Sequence, residues 1–107
     1  MDDICGAMVQ MNDKGIITAW NDSAENILGY TADEVLGTDG IQKIFINNEK
    51  DNILNVVETG EVYYSFDSHV LNKAGEVQPV ALVTSPLTDS AGSISGITVL
   101  ISNILLL

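Results

Sequence analysis

Arginine is absent, and the only lysines are Lys14, Lys43, Lys50 and Lys73, scattered along the chain. Against them stand 15 acidic side chains, giving a formal net charge of −11. A phosphate-binding surface needs clustered Lys and Arg. Binding to nucleic acid and direct contact with an anionic membrane are therefore not expected. Cys5 stands alone, which excludes an intrachain disulfide and a multi-cysteine zinc pattern. No stretch reaches the roughly 18 apolar residues of a membrane helix. The apolar stretch Ile97 to Leu107 is interrupted by Ser102 and Asn103. The start Met1-Asp2-Asp3 has no positive region, so no signal peptide is expected. These absences together point to a cytoplasmic location.

What is present suits one globular domain. The chain has 107 residues, 46% of them hydrophobic, a length near the usual size of a single domain. No internal repeat and no Pro-, Gly- or Ser-rich linker divides it. The expectation is one domain over 1–107, excised from a longer protein.

Short turn signals punctuate the chain. Asn12-Asp13-Lys14-Gly15 reads as a hairpin turn between strands Ala7 to Met11 and Ile16 to Trp20. Asn21 or Asp22 then caps a helix whose apolar stripe is Ala24, Ile27 and Leu28, with Gly29 as its stop. Thr31 and Glu34 have capping-box spacing for a second short helix ending at Gly37. Ile41, Ile44 and Phe45 suggest one helical turn. A longer helix follows a cap at Asn47 or Asn48 and runs to about Thr59. Its buried face is Ile53, Leu54, Val56 and Val57, while Glu49, Lys50, Asp51, Asn55 and Glu58 are expected to be wet.

After Gly60 the period changes from helical to alternating. Three strands are expected, Val62 to Leu71, Val77 to Leu87 and Ile97 to about Leu105. Turns at Asn72-Lys73-Ala74-Gly75 and Asp89-Ser90-Ala91-Gly92 link them tightly. The order gives an α+β fold, a five-stranded antiparallel sheet with short helices packed on one face. Along the first of these strands Tyr64, Phe66, Ser68 and Val70 share the face expected to meet the long helix. Tyr63, Ser65, Asp67, His69 and Leu71 share the other.

The run Asn12-Asp13-Lys14-Gly15-Ile16 through Asn21, then Ala24 to Tyr30 and Glu34-Val35-Leu36-Gly37, resembles a PAS domain. Lys73-Ala74-Gly75, Ser85-Pro86-Leu87, Gly92, Gly96 and Asn103-Ile104 extend the resemblance over nearly the whole chain. Four positions depart from the family pattern. Asn12 and Ala74 replace turn aspartates, Asn103 replaces the terminal Asp that often couples the domain to its output helix, and Leu105 replaces the Thr that usually follows.

The resemblance implies a signal-sensing module acting on an effector in the same chain, such as a histidine kinase, a cyclic-dinucleotide enzyme or a transcription regulator. It also implies a homodimer. The haem-binding members place a His on the long helix, and Asn48 to Thr59 has none; His69 reads as an exposed or dimer-face residue. The light-sensing flavin members need a Cys in the middle helices, and 38–48 has none; Cys5 reads as an inert or surface thiol. Haem and covalently linked flavin are thus disfavoured, while a noncovalent flavin stays open.

A curved sheet facing short helices leaves room for a small ligand, with apolar walls and a few orienting polar groups. The candidate lining is Ile44, Phe45, Ile53, Val57, Tyr64, Phe66, Ser68, Val80, Leu82, Thr84, Val99 and Ile101. Ser68 and Thr84 would orient the ligand, with Tyr64 as a third polar group. Trp20 reads as partly buried packing. With no Lys or Arg on the inner faces, a carboxylate ligand lacks a bidentate partner; an apolar or weakly polar one is expected. The competing reading is an interaction module with a filled core. In it, Tyr63, Leu71 and Leu105-Leu106-Leu107 contribute to an exposed dimer face. Catalysis is not expected: the one His has no assignable Ser or Cys partner, and no glycine-rich phosphate loop or metal-ligand pattern occurs.

Overall fold

The computed structural model describes residues 6–46 and 49–103, the last of these through its backbone only. Cys5, the cap at Asn47 or Asn48, Ile104 and the leucines 105–107 lie outside the described residues. The strands are β1 (Ala7–Asn12), β2 (Ile17–Trp20), β3 (Tyr63–Leu71), β4 (Val77–Thr88) and β5 (Ile94–Asn103). Between β2 and β3 run α1 (Asp22–Leu28), α2 (Ala32–Val35), α3 (Gly40–Ile44) and α4 (Glu49–Thr59). The sheet order is β2-β1-β5-β4-β3, with every neighbouring pair antiparallel. The last strand therefore lies beside the first, and β3 is an edge. No helix among the described residues is long and apolar enough to cross a membrane.

Local chemistry fixes the turns. Asn12 Oδ1 accepts the amides of Lys14 at 2.8 Å and Ile16 at 3.1 Å, while Gly15 supplies the left-handed backbone at φ 86°. Asn12 thus does the work of the aspartate usual at this turn. In the later hairpin Asn72 Oδ1 accepts the Glu76 amide at 2.9 Å, so Ala74 is not needed as an acceptor. Asp89 Oδ1 does the same for Ala91 and Ser93, at 2.9 and 3.0 Å.

The helices start where acceptors stand. Asn21 Oδ1 takes the Ala24 amide at 2.9 Å and the Met8 amide at 3.0 Å, so one amide caps α1 and moors it to β1. Thr31 and Glu34 form the capping box of α2, and Glu34 also pairs with Lys73 of the β3–β4 turn. Trp20 is buried, and its indole N–H donates to the Tyr30 carbonyl at 2.9 Å.

One face of the sheet packs on the helices. Val9, Met11, Val80, Leu82, Val99 and Ile101 from the sheet meet Leu28, Ile44, Ile53 and Val56 from the helices in one buried cluster. Along α4 the wet positions Lys50, Asp51, Asn55 and Glu58 are exposed as expected. Glu49 is a correction: only 9% of it is accessible, because it turns under β3.

Strand β3 gives the second correction. Tyr64 and Phe66 do not face α4; they are 61% and 73% exposed on the opposite side. The pairing runs Tyr63 with Thr84, Tyr64 with Val83 and Ser65 with Leu82, then resumes at Ser68 with Val80. Phe66 and Asp67 together oppose Ala81, which is a β-bulge. The extra residue reverses which side faces inward. Before the bulge Tyr63 and Ser65 are on the inner side; after it Ser68 and Val70 are. Tyr63 is accordingly half-buried rather than part of an outer face.

Candidate functional site

The central candidates fall into two groups. Ile44, Phe45, Ile53, Val80, Leu82, Val99 and Ile101 are buried in the one apolar cluster, and Val57 packs half-buried against it. Tyr64 and Phe66 stand outside, on the outer face. The polar candidate in this core is Thr84 of β4, which is fully buried, with an Oγ1 that meets no hydrogen-bond partner among the described residues. An unpaired buried hydroxyl costs about 1–3 kcal/mol.

Ser68, the other polar candidate, belongs to a different site. The bulge turns it inward at the β3 edge, where its hydroxyl donates to Glu49 Oε2. The same carboxylate accepts Tyr63 Oη at 2.6 Å and Asn52 Nδ2 at 3.3 Å on Oε1. Ser65 Oγ lies 2.5 Å from Ser68 Oγ and 3.5 Å from Asp67 Oδ1. These groups and His69 line a cavity of about 270 Å³ between the first turn of α4 and the bulge of β3.

The electrostatics follow from the contacts. Burial is the largest single influence on Glu49 and pushes its carboxyl up. Hydrogen bonds from Ser68, Tyr63 and Asn52, with the nearby His69 charge, outweigh it and hold the carboxyl below its ordinary value. Burial raises the Tyr63 phenol, and its bond to Glu49 raises it further. At neutral pH the cluster is one carboxylate clasped by three neutral donors. Among the described residues no group of three His, Cys, Asp or Glu side chains could hold a metal ion.

Sequence periodicity missed this cluster because it rests on the bulge. The signal available was Glu49 at the start of an amphipathic helix, which usually marks a solvated first turn.

The outer sheet face is the other feature of note. By register Tyr64 pairs with Val83, Val83 with Leu100 and Leu100 with Met8, forming one apolar row across β3, β4, β5 and β1. Phe66 projects beside its end. Strands β1, β2, β4 and β5 carry no charged side chain at all; β3 carries Asp67 and His69.

Known proteins match this architecture. A structure of the PAS domain of a protein from Colwellia psychrerythraea superposes with a TM-score of 0.81 at 17% identity, covering 92% of this chain and 86% of that one. Drosophila melanogaster Cycle PAS-B, solved with bound ethylene glycol, gives a TM-score of 0.76 at 14% identity over 92% of this chain and 99% of that one. The PAS domain of histidine kinase ThkA gives 0.70 at 23% identity, covering 92% and 98%. No curated protein sequence matches the chain. The sequence profile of the PAS fold matches residues 1–104, and the chain belongs to the PAS family of signal-sensing modules.

Proposed function

We propose that this PAS domain is a relay module that works as a homodimer through the outer face of its sheet and acts on an effector in the same chain, such as a histidine kinase. The observation that carries the reading is the Met8–Leu100–Val83–Tyr64 row on an almost uncharged face. Two copies of a chain with net charge −11 repel over roughly a Debye length of about 8 Å. An uncharged face lets them meet with the least like-charge contact. Tyr64 and Phe66 supply the exposed aromatic area that interfaces favour. The neighbour named as a histidine kinase domain supports that class of effector by likeness of fold.

Relay follows from the position of β5. It lies between β1 and β4, and its Leu100 sits within the row. A change in how two copies pack would be felt along that strand. The test is sedimentation equilibrium of the wild type and Val83→Lys, with circular dichroism to show that both are folded. The reading expects a wild-type dimer and a monomeric variant. A folded wild type that stays monomeric at high concentration contradicts it.

A second reading, sensing of a small neutral ligand inside the core, rests on Thr84. Its buried, unpaired hydroxyl is the group such a ligand would engage, with walls from Ile53, Leu82 and Val99. Native mass spectrometry beside the denatured mass tests it: a reproducible extra mass lost in Thr84→Val supports this reading, and an apo spectrum counts against it.

A further inference from the structure

The cavity between α4 and the β3 bulge has an uneven stock of hydrogen-bonding groups. Its hydroxyl and amide donors are engaged within the cluster, and the His69 imidazole is a further donor on its wall. Tyr63 Oη and Ser68 Oγ give their protons to Glu49, and the Asn52 amide group donates to Glu49 and to Tyr63 Oη. What remains is mostly acceptor capacity. A carboxylate offers about four lone-pair sites, and Glu49 uses three of them. Exposed Asp67 makes one long bond, at 3.5 Å, to Ser65. No Lys or Arg lines the cavity, and the chain around it is strongly acidic.

These groups reject an anion and ask for a ligand rich in N–H donors and carrying positive charge. The ligand must also be small, since about 270 Å³ lies below the usual range for drug-sized sites. A bare metal ion is not matched, because no group of three ligating side chains converges among the described residues. We propose that this cavity binds a small organic ammonium ion, whose N–H groups donate to Asp67 and to the free acceptor site of Glu49. The Tyr63 ring and Ser65 form its walls.

Occupancy has a route to the rest of the domain. The bulged segment carries Ser65 and Ser68 on the cavity side and Tyr64 and Phe66 on the outer face. A cation drawing on Glu49 and Asp67 pulls on the segment that displays those aromatics. This regulatory half of the proposal rests on the homodimer reading; the binding half does not.

The test is titration of the chain with 1,4-diaminobutane at neutral pH and low salt, followed by calorimetry and by amide ¹H–¹⁵N spectra. Succinate and calcium chloride are the controls. We expect saturable binding with a Kd below about 1 mM, and shifts centred on Asn52, Ser65, Asp67 and Ser68. Asp67→Asn, at an exposed position that the fold does not need, should weaken binding about tenfold, equivalent to about 1.4 kcal/mol. No saturable binding, equal binding by Asp67→Asn, equal binding of succinate, or tighter binding of Ca²⁺ at the same residues each overturns the site. Sedimentation of the same samples separates the two halves. Binding that leaves the association state unchanged upholds the site and removes its regulatory role.

Discussion

Glu49 Oε2 accepts the hydroxyl proton of Ser68, a residue 19 positions further along the chain. This bond ties the first turn of α4 to the bulge of β3, and Tyr63 and Asn52 complete the clasp. Removing one partner of a buried charged cluster strands the others. Ser68→Ala should destabilise the fold by about 1.5–3 kcal/mol, the usual worth of a hydrogen bond to a charged group. Glu49→Leu should cost about as much, because it leaves the Ser68 and Tyr63 hydroxyls unpaired. Urea unfolding of both variants measures this, and midpoints equal to wild type would show that the clasp contributes nothing.

The clasp also sets a pH dependence. Glu49 titrates below its unfolded value, so its contribution is complete above about pH 4.3 and is lost as pH falls through the folded pKa. Tyr63 titrates above its unfolded value. Its contribution is complete below about pH 10 and is lost as pH rises through the folded pKa. Stability measured from pH 3 to 7 should fall less steeply on acidification in Glu49→Gln than in wild type. Parallel curves would place the acid-sensitive group elsewhere.

Thr84→Val should raise stability by about 1 kcal/mol, since it replaces an unpaired buried hydroxyl by a methyl of similar size. A lower melting temperature in the variant would mean that the hydroxyl has a partner in the folded protein.

Gly96 permits the closest approach in the sheet. A Cβ there would lie 2.2 Å from the Met11 carbonyl oxygen, a backbone atom of the neighbouring strand. Overpacking against backbone has no side chain to yield. Gly96→Ala should therefore cost about 3 kcal/mol or more, while Gly92→Ala meets nothing within 4 Å and suffers only the strain of its φ of 84°. Thermal denaturation of the pair checks the order; Gly96→Ala melting above Gly92→Ala contradicts it.

The hairpins were legible because their signals are local. Asn12 to Gly15, Asn72 to Gly75 and Asp89 to Gly92 each carry their own acceptor and a left-handed glycine. The caps of α1 and α2 were legible for the same reason, through Asn21 and the Thr31–Glu34 pair. The bulge was not. Tyr64, Phe66, Ser68 and Val70 alternate without a break, and nothing local says that Phe66 and Asp67 share one partner. That register depends on β4, so both errors follow from it: the outward aromatics and the inward Glu49. The start of β5 at Ile94 rather than Ile97 has a similar cause, since Thr88 pairs with Ile94 across an irregularity at the hairpin end.

The most direct test of the relay is the dimer dissociation constant of Ser68→Ala against wild type, measured by sedimentation equilibrium under conditions where both are folded. Ser68 is 97% buried on the inner side and does not belong to the outer row. If the bulge couples the two sides, breaking its clasp should change the constant by about fivefold or more, the usual lower bound of coupling between sites. An unchanged constant in a folded variant would contradict the account.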